Sequence, residues 1–252
     1  MWLLLILNLT AKVGSLFLGL SSPGTTLALW IVPDALLAYH IFVPRSQGVA
    51  QMYRRFVTSG HEVWLTIDDG PDPDDTPQIL ALLASHGAKA TFFVIGRKAD
   101  AYPELIRAIA AAGHEVAHHS YTHPLKTFWC ISRKKLRLEI EHGLEALAAA
   151  GVRPTRFRPP ATIKNLWLGP ILAEHGLVLV SWSARGLESR CHSPEEVTAH
   201  VSHKLRPGAI LLLHEGPGVP HVIRVHAIRK VLELLETQGY RCVIPKTSQL
   251  IT

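Results

Sequence analysis

Apolar and polar positions divide the chain into two parts with different patterns. The first part, 1–45, holds two long apolar stretches separated by Ser-Ser-Pro-Gly. From about His61 onward, short apolar runs of strand type alternate with longer segments whose apolar positions recur at helical spacing. This alternation predicts a parallel sheet with helices packed outside it.

Seven strands are predicted in the second part, and seven strands fit a barrel better than an open sheet, although periodicity alone does not decide between them. The predicted strands are 62–68, 90–95, 115–119, 155–158, 177–182, 209–214 and 240–244. The helical patterns between them include 76–86, 101–112, 133–150, 194–205 and 223–238. Helix ends are marked by glycines, as C-terminal cap signals predict: Gly87, Gly113, Gly151, Gly176 and Gly239.

The N-terminal part has the composition of a membrane segment. Each apolar stretch is close to the roughly 20 residues that cross a bilayer. Neither the basic n-region nor the cleavage site of a secretory signal peptide is present. We therefore expect a membrane-anchoring hairpin at 1–45, a linker at 46–60 and a globular domain at 61–252. A single amphipathic anchor or a pair of core helices is the alternative.

Each apolar stretch carries one charged residue, Lys12 in the first and Asp34 in the second. An isolated charge in lipid is costly and usually finds a partner. If the chain reverses near Ser22-Pro23, the two charges come to similar depth on facing helices. In the alternative, neither stretch spans and both charges lie in water.

Composition narrows the classes of partner and the compartment. The formal net charge of +6 permits contact with anionic lipid headgroups or phosphates. No Lys/Arg-rich run of the nucleic-acid type occurs, so nucleic acid is not an expected partner. The three cysteines, Cys130, Cys191 and Cys242, are far apart and odd in number, which argues against a disulfide framework. Reduced thiols fit a cytoplasmic setting.

Two adjacent carboxylates, Asp68 and Asp69, end the apolar strand 62–68. Side chains on a regular strand alternate faces, so two neighbouring carboxylates would either repel each other or direct one into the core. An acidic turn is one interpretation, since Asp, Gly and Pro are ordinary turn residues. The other is a bound cation held with histidines from elsewhere in the chain.

A pair of histidines, His119 and His123, follows the strand 115–119. One turn of helix would put both imidazoles on one side. Alone, the pair is more typical of surface or core histidines. With Asp69 it forms a three-ligand set with room for water, as in catalytic zinc sites and also iron(II) sites.

Two further strands end in candidate site residues. Arg158 lies in Arg-Phe-Arg-Pro-Pro, and a fixed cation beside Asp68 would hold that carboxylate ionised and oriented. His214 ends the run 210–214 and can act as a general acid near neutral pH; a histidine at the sheet edge is the alternative. In a β/α barrel the carboxyl ends of the strands converge on one face, where active sites lie.

The motifs TIDDGP, HSYTH, RFRPP and LLLHEG, in this order and spacing, resemble those of the polysaccharide deacetylases. These form carbohydrate esterase family four, with the NodB-homology domain, and the resemblance covers nearly all of 61–245. It implies a distorted (β/α)7-type barrel, here preceded by the N-terminal hydrophobic helical hairpin. It also implies metal-dependent hydrolysis of N-acetyl groups on amino sugars. The implied roles are general base for Asp68, metal ligands for Asp69, His119 and His123, base tether for Arg158 and general acid for His214.

The chain departs from the family pattern in two places. Ala161 and Thr162 replace the Tyr-Gly that follows Arg-Pro-Pro in the family, so the oxyanion N–H would come from Ala161. The fourth motif resembles Ser-Trp-Ser-Ala-Arg-Gly-Leu-Glu-Ser, 181–189, a form with Trp-x-x-Arg-Gly like that of a membrane-anchored bacterial branch. Arg185 or Glu188 stands near the expected acidic position, which leaves the partner of His214 open. The candidate substrate contacts are Arg185, Trp182 and Pro160.

The expected function is removal of an N-acyl group, chiefly N-acetyl, from an amino sugar with one divalent ion. Zinc is the expected metal; cobalt, nickel and iron(II) suit the same ligands. The expected substrate is a polysaccharide, an oligosaccharide or a lipid-linked glycan. The alternatives are a deformylase or deacetylase specific for a lipid-linked sugar, and a catalytically weakened carbohydrate-binding protein.

The distribution of basic residues predicts the orientation of the hairpin. The connecting loop, Ser21 to Thr26, is uncharged, whereas Arg45, Arg54 and Arg55 follow the second stretch. Short segments rich in Lys and Arg tend to stay in the cytoplasm. The globular domain is therefore expected on the cytoplasmic side of the inner membrane, in contact with membrane lipid. A domain anchored by one span and facing outside is the alternative.

Overall fold

The computed structural model describes residues 2–17 and 23–252. Its helices are α1 Trp2–Phe17, α2 Pro23–Phe42, α3 Asp75–Ser85, α4 Gly96–Ala101, α5 Pro103–Ala111, α6 Arg133–Ala149, α7 Leu168–Glu174, α8 Pro194–Ser202 and α9 Arg224–Thr237. Its strands are β1 Arg55–Phe56, β2 Glu62–Asp68, β3 Ala90–Val94, β4 Glu115–His118, β5 Arg156–Phe157, β6 Val178–Leu179, β7 Ala184–Arg185, β8 Ile210–His214, β9 Arg241–Cys242 and β10 Leu250–Ile251.

A curled parallel sheet forms the centre of the globular domain, in the strand order β6-β5-β4-β3-β2-β8-β7. Neighbouring strands along this order all pair in parallel. The register places Asp68 opposite both Phe93 and His214. This half-barrel with helices around it confirms the predicted fold, and the common strand direction gathers the carboxyl ends of the strands at one edge.

Two predicted strands differ from the structure. The predicted strand 177–182 reduces to β6, which pairs with β5, and a separate short strand beyond the predicted range, β7, pairs with β8. The predicted strand 240–244 reduces to β9, which lies off the main order and pairs only with the start of β2. The predicted helix 101–112 is also divided, because α5 starts anew at Pro103.

The predicted linker 46–60 packs against the sheet. Met52 and Phe56 are buried, and β1 pairs antiparallel with β10. Tyr53 forms a parallel bridge with Val180, beside β6. The segment therefore lies at the edge where β6 and β7 part.

The core explains why β2 has no polar alternation. Both faces of β2 are covered, and Val63, Leu65 and Ile67 pack against the outer helices. Trp64 faces the other side, in a cluster with Phe93 and other buried apolar residues. Parallel sheets buried on both faces produce continuous apolar runs of this kind.

The two N-terminal helices pack against each other. Lys12 Nζ lies 2.8 Å from Asp34 Oδ1, which confirms the predicted pairing of the two charges. The predicted reversal at Ser22 lies outside the described residues. Within them, α2 is the helix long and apolar enough to cross a membrane by length and composition, while the apolar part of α1, Leu3–Leu16, is shorter.

Candidate active site

Three predicted metal ligands come together at the carboxyl ends of β2 and β4. His119 Nε2 and His123 Nε2 lie 3.4 and 3.3 Å from Asp69 Oδ1. One donor atom from each residue lies within 4.8 Å of those of the other two. Residues separated by about fifty positions in the sequence thus form one cluster because β2 and β4 both flank β3.

The expected helical turn between the two histidines is wrong. His119 continues the ladder of β4, since its N–H donates to Val94 O at 2.9 Å. The chain then turns through left-handed conformations, with φ of 62° at Ser120 and 56° at His123. Ser120 Oγ accepts the His123 N–H at 3.2 Å. This turn brings the two imidazole centroids to 4.9 Å, so the residues meet through a different backbone path.

The donor set fits a divalent cation. His119 Nδ1 lies 2.7 Å from Arg158 O, and a proton on Nδ1 leaves Nε2 free as a ligand. Burial and the neighbouring His119 lower the pKa of His123 to about 4, so this ring is neutral at neutral pH. Asp69 Oδ1 is buried without a hydrogen-bond partner among the described residues. Two imidazoles and a carboxylate match the open three-ligand sites of zinc and iron(II).

Electrostatics keeps the Asp69 carboxylate in its ligand form. Burial alone would raise the pKa of Asp69, but His119, His214 and His123 lower it well below its usual range. An ionised carboxylate is therefore held among imidazole rings, which is the charge distribution that a cation requires.

The second carboxylate, Asp68, is held by a buried arginine. Arg158 Nη1 donates to Asp68 Oδ1 at 2.6 Å and to Thr66 Oγ1 at 2.8 Å, and Nη2 donates to Ser181 O at 2.9 Å. The other oxygen, Asp68 Oδ2, lies 3.8 Å from His119 Nε2. One carboxylate oxygen is thus fixed, while the other faces the three-ligand cluster as a general base would.

The backbone after β2 explains how two adjacent carboxylates face one site. Asp69 has a φ of 73°, so the strand alternation ends there. A Cβ on Gly70 would lie 1.8 Å from Glu215 Oε1, so this close approach requires glycine.

Two further ionisable residues support this turn. Burial raises the pKa of Glu215 to about 8, and Thr76 Oγ1 donates to its Oε2 at 2.5 Å. Lys98 Nζ donates to Asp69 O at 2.6 Å. Sequence reasoning missed Glu215 and Lys98; only the position of Glu215, directly after His214, gave a signal.

The partner of His214 is Glu188. Glu188 Oε1 accepts the backbone N–H of His214 at 2.8 Å and lies 3.2 Å from its Nδ1. Burial alone would lower the pKa of His214, but Glu188, with Asp68 and Asp69, raises it to about 9. His214 is therefore protonated at neutral pH, as a general acid requires. Of the two candidates in the altered fourth motif, Glu188 occupies the acidic position.

The site opens into a cleft of about 520 Å³. Ala161, exposed with a φ of 50°, lines it together with Trp182 and Arg185. The Arg185 guanidinium lies 4.7 Å from the Trp182 ring centroid, and Trp182 Nε1 donates to Thr162 Oγ1 at 2.9 Å. Pro160 is buried and is not among the lining residues. Further basic side chains at the cleft are Arg97, Lys98 and Arg190.

Comparison with known proteins identifies the family. The sequence profile for polysaccharide deacetylase matches residues 56–180. The chain is 35% identical over 168 residues to the chitooligosaccharide deacetylase of Sinorhizobium fredii, covering 63% of this chain and 74% of that protein. The chain belongs to the polysaccharide deacetylase family.

Two further similarities extend this result. The chain is 34% identical over 190 residues to a peptidoglycan-N-acetylglucosamine deacetylase of Bacillus cereus, covering 72% of this chain and 66% of that protein. A crystal structure of a peptidoglycan N-acetylglucosamine deacetylase superimposes with a TM-score of 0.70 at 32% identity, covering 75% of this chain and 88% of that one. Family membership confirms the predicted enzyme class, a hydrolase of non-peptide carbon–nitrogen amide bonds.

Proposed function

We propose that this chain is a metal-dependent deacetylase that removes the N-acetyl group from an amino sugar. The observation that carries the proposal is one arrangement: Asp68 Oδ2 lies 3.8 Å from the ligand atom of His119, and Asp68 is paired with Arg158. His214, the candidate acid, lines the same cleft. The names of the relatives, which are deacetylases of N-acetylglucosamine polymers and chitooligosaccharides, support the choice of bond and sugar.

The residues divide the work of amide hydrolysis. A divalent ion held by Asp69, His119 and His123 would supply a Lewis acid for water and for the amide carbonyl. Asp68 accepts the proton of the attacking water, and Arg158 keeps its carboxylate oriented during that transfer.

Two further groups that line the cleft serve the oxyanion and the leaving amine. The Ala161 N–H donates to the carbonyl oxygen as that oxygen gains charge. His214, protonated at neutral pH, gives its proton to the departing amine. Glu188 balances the imidazolium charge and orients the ring. The products are acetate and the free amino sugar.

The basic rim favours an anionic substrate. Arg185 and Arg190 line the cleft, together with Arg97 and Lys98 from α4. Lys98 Nζ is hydrogen-bonded to Asp69 O, so the three arginines are the cations that suit a phosphate or carboxylate carried by the sugar. With the N-terminal hairpin, this supports a second candidate: an N-acyl hydrolase, either deacetylase or deformylase, that acts on a lipid-linked amino sugar.

A carbohydrate-binding protein with weakened catalysis is less well supported. Base, ligands and acid all occupy one cleft, and Glu188 takes the position that the altered fourth motif left open. A protein that only binds sugar has no use for a clamped carboxylate beside three metal ligands.

The proposal extends to location. We propose that α1 and α2 anchor the chain in the inner membrane with the barrel on the cytoplasmic side, because Arg45, Arg54 and Arg55 follow α2. Alkaline phosphatase fused after Thr252 should be inactive and green fluorescent protein bright. The opposite pattern would place the barrel outside, where finished wall polysaccharide becomes the natural substrate.

The decisive experiment separates the two adjacent aspartates. Asp68→Asn should keep its metal while turnover falls by roughly 10²–10⁴, the usual contribution of a positioned acid or base. Turnover is measured by acetate release from N-acetylated chitooligosaccharides and from lipid-linked amino sugars. Metal loss in Asp68→Asn with retention in Asp69→Asn would reverse the two roles.

The substrate panel also tests the basic rim. Arg185→Ala should lower turnover of a phosphate-bearing lipid-linked sugar more than that of a neutral chitooligosaccharide. Arg107→Ala, an exposed arginine on α5, serves as the control. Equal activity of Arg185→Ala and the unaltered chain on every member of the panel would dispose of the anion-binding role.

A further inference from the structure

One surface segment, 125–135, lies directly against the end of the anchor helix α2. The rings of Phe42, the last residue of α2, and Trp129 have centroids 5.6 Å apart. Both side chains remain substantially exposed, at 44% and 42%. The aromatic contact therefore continues the apolar surface of α2 onto the globular domain.

Two consecutive residues fasten this segment and the helix end to the same loop. The Lys164 N–H donates to Ile41 O at 3.0 Å, at the end of α2. Asn165 Nδ2 donates to Phe128 O at 2.9 Å and to Ile131 O at 3.0 Å. Lys164 and Asn165 are buried, so the position of the segment relative to α2 is fixed by protein contacts.

The charge of the segment has one sign. Residues 125–135 read Leu-Lys-Thr-Phe-Trp-Cys-Ile-Ser-Arg-Lys-Lys, with basic residues at Lys126, Arg133, Lys134 and Lys135 and none acidic. All four basic residues are exposed. Arg133 lies 3.6 Å from Glu174, whereas among the described residues no ion pair joins Lys126, Lys134 or Lys135 to a carboxylate.

The segment reaches the mouth of the cleft. Leu125 lines the cleft and is 47% exposed. It follows His123, one of the three metal ligands, by two residues. An exposed strip with apolar and basic side chains thus runs from Phe42 to the entrance of the active site.

We propose that the segment 125–135 docks onto anionic lipid headgroups, so that the cleft opens along the surface of the membrane that holds α2. Trp129 suits the level of the headgroups, where aromatic rings concentrate. The unpaired lysines suit an anionic lipid surface. The inference rests on the membrane anchoring proposed above, and it explains how a lipid-attached sugar would reach the cleft without leaving the bilayer.

The test uses the full chain in vesicles of phosphatidylcholine and phosphatidylglycerol that contain a headgroup spin-labelled lipid. Cys130 is exposed and lies within the segment, so it accepts a fluorophore directly. The comparison site is Ser59→Cys in a Cys130→Ser background; Ser59 is exposed and precedes β2, at the end of the sheet opposite Asp68. Docking predicts loss of fluorescence for the probe at Cys130 and little loss at position 59. Equal loss at the two sites would overturn it.

A charge reversal tests the lipid specificity. Lys134→Glu with Lys135→Glu should reduce the quenching at Cys130 in vesicles with phosphatidylglycerol. The matched control, Arg229→Glu with Lys230→Glu on α9, changes the net charge equally and should leave the quenching unchanged. Equal reductions in both variants would show a general charge effect and contradict the docking surface.

Two further measurements distinguish the docking of the segment from the two proposals on which it rests, the deacetylase activity and the membrane anchor. Acetate release from a water-soluble chitooligosaccharide reports the deacetylase and the folding of each variant, and it should be the same in both double variants. Extraction of the chain by alkaline carbonate tests the anchor. Because anchoring of α2 by itself brings Trp129 toward the membrane, docking is reported by the part of the quenching that the Lys134→Glu, Lys135→Glu variant removes and the α9 control does not. An inactive chain that still shows this difference would leave the docking surface intact.

Discussion

Two ion pairs lie next to apolar segments of the chain: Arg158 with Asp68 in the sheet, and Lys12 with Asp34 between α1 and α2. The side chains of Arg158 and Asp68 are 0% and 4% exposed, whereas those of Lys12 and Asp34 are 25% and 57% exposed. The N···O distances are similar, 2.6 Å in the sheet and 2.8 Å in the hairpin. The distance alone therefore says little about the energetic role of each pair.

The difference lies in what surrounds each pair. Arg158 also donates to Thr66 and to two backbone carbonyls. These bonds are needed because each N–H of a buried guanidinium that lacks an acceptor costs free energy. Asp34 has Lys12 and the amide of Asn8 as partners, and the remaining surroundings are set by the medium. The fold itself determines the strength of the pair in the sheet, while lipid or water determines that of the pair in the hairpin.

The largest effect is expected from removal of a predicted metal ligand. His123→Ala should lose both the metal and the activity, because one of three ligands is removed. Elemental analysis and acetate release measure the two outcomes, with His200→Ala, an exposed histidine on α8, as the control. Full metal occupancy in His123→Ala would contradict the ligand assignment.

Removal of the buried arginine should come next. Arg158→Met leaves Asp68 buried without its cation, and breaking such a pair costs about 3–5 kcal/mol. Denaturant titration of the full chain in detergent measures the loss in free energy of unfolding. Arg153→Met, at an exposed arginine, should change it little. A similar small change in Arg158→Met would mean that the sheet tolerates the unpaired carboxylate.

Sequence reasoning reached the site because its residues follow continuous apolar runs. Asp68 and His214 end strands that the sequence marks clearly, and the register places them opposite each other. The spacing of His119 and His123 indicated a pair, but the turn that joins them depends on Ser120, whose left-handed backbone has no sequence signal.

The contacts between segments that are far apart in the chain could not be predicted from the pattern of apolar and polar residues. Glu188 meets His214 only because β7 pairs with β8, and the pattern at 177–182 reads as one continuous strand. The contact of Phe42 with Trp129 depends in the same way on Asn165, which holds the backbone next to Trp129. Such pairings follow from packing, which periodicity does not encode.

The pair in the hairpin should respond to its medium. In detergent, where the pair is partly hydrated, Asp34→Asn should lower the free energy of unfolding only slightly. In a bilayer the same change leaves Lys12 unpaired in lipid and should lower the stability more. Thermal unfolding in detergent and in nanodiscs measures the loss of stability in each medium. The double variant Lys12→Asp with Asp34→Lys, which exchanges the two charges, should recover the lost stability. Equal costs in both media would indicate that lipid does not surround the pair.

A third pair, Glu188 and His214, should give the smallest effect at neutral pH. The pKa of His214 is raised to about 9, so its acid form is present below that pH and lost above it. Glu188→Gln removes the charge that raises this pKa, and the alkaline limb of kcat/KM should therefore move to lower pH. Near pH 7 the loss should stay modest as long as the ring remains largely protonated. The pH profile is compared with that of Glu195→Gln, at an exposed position on α8. An alkaline limb that stays in place in Glu188→Gln would mean that Asp68 and Asp69 alone maintain the acid form.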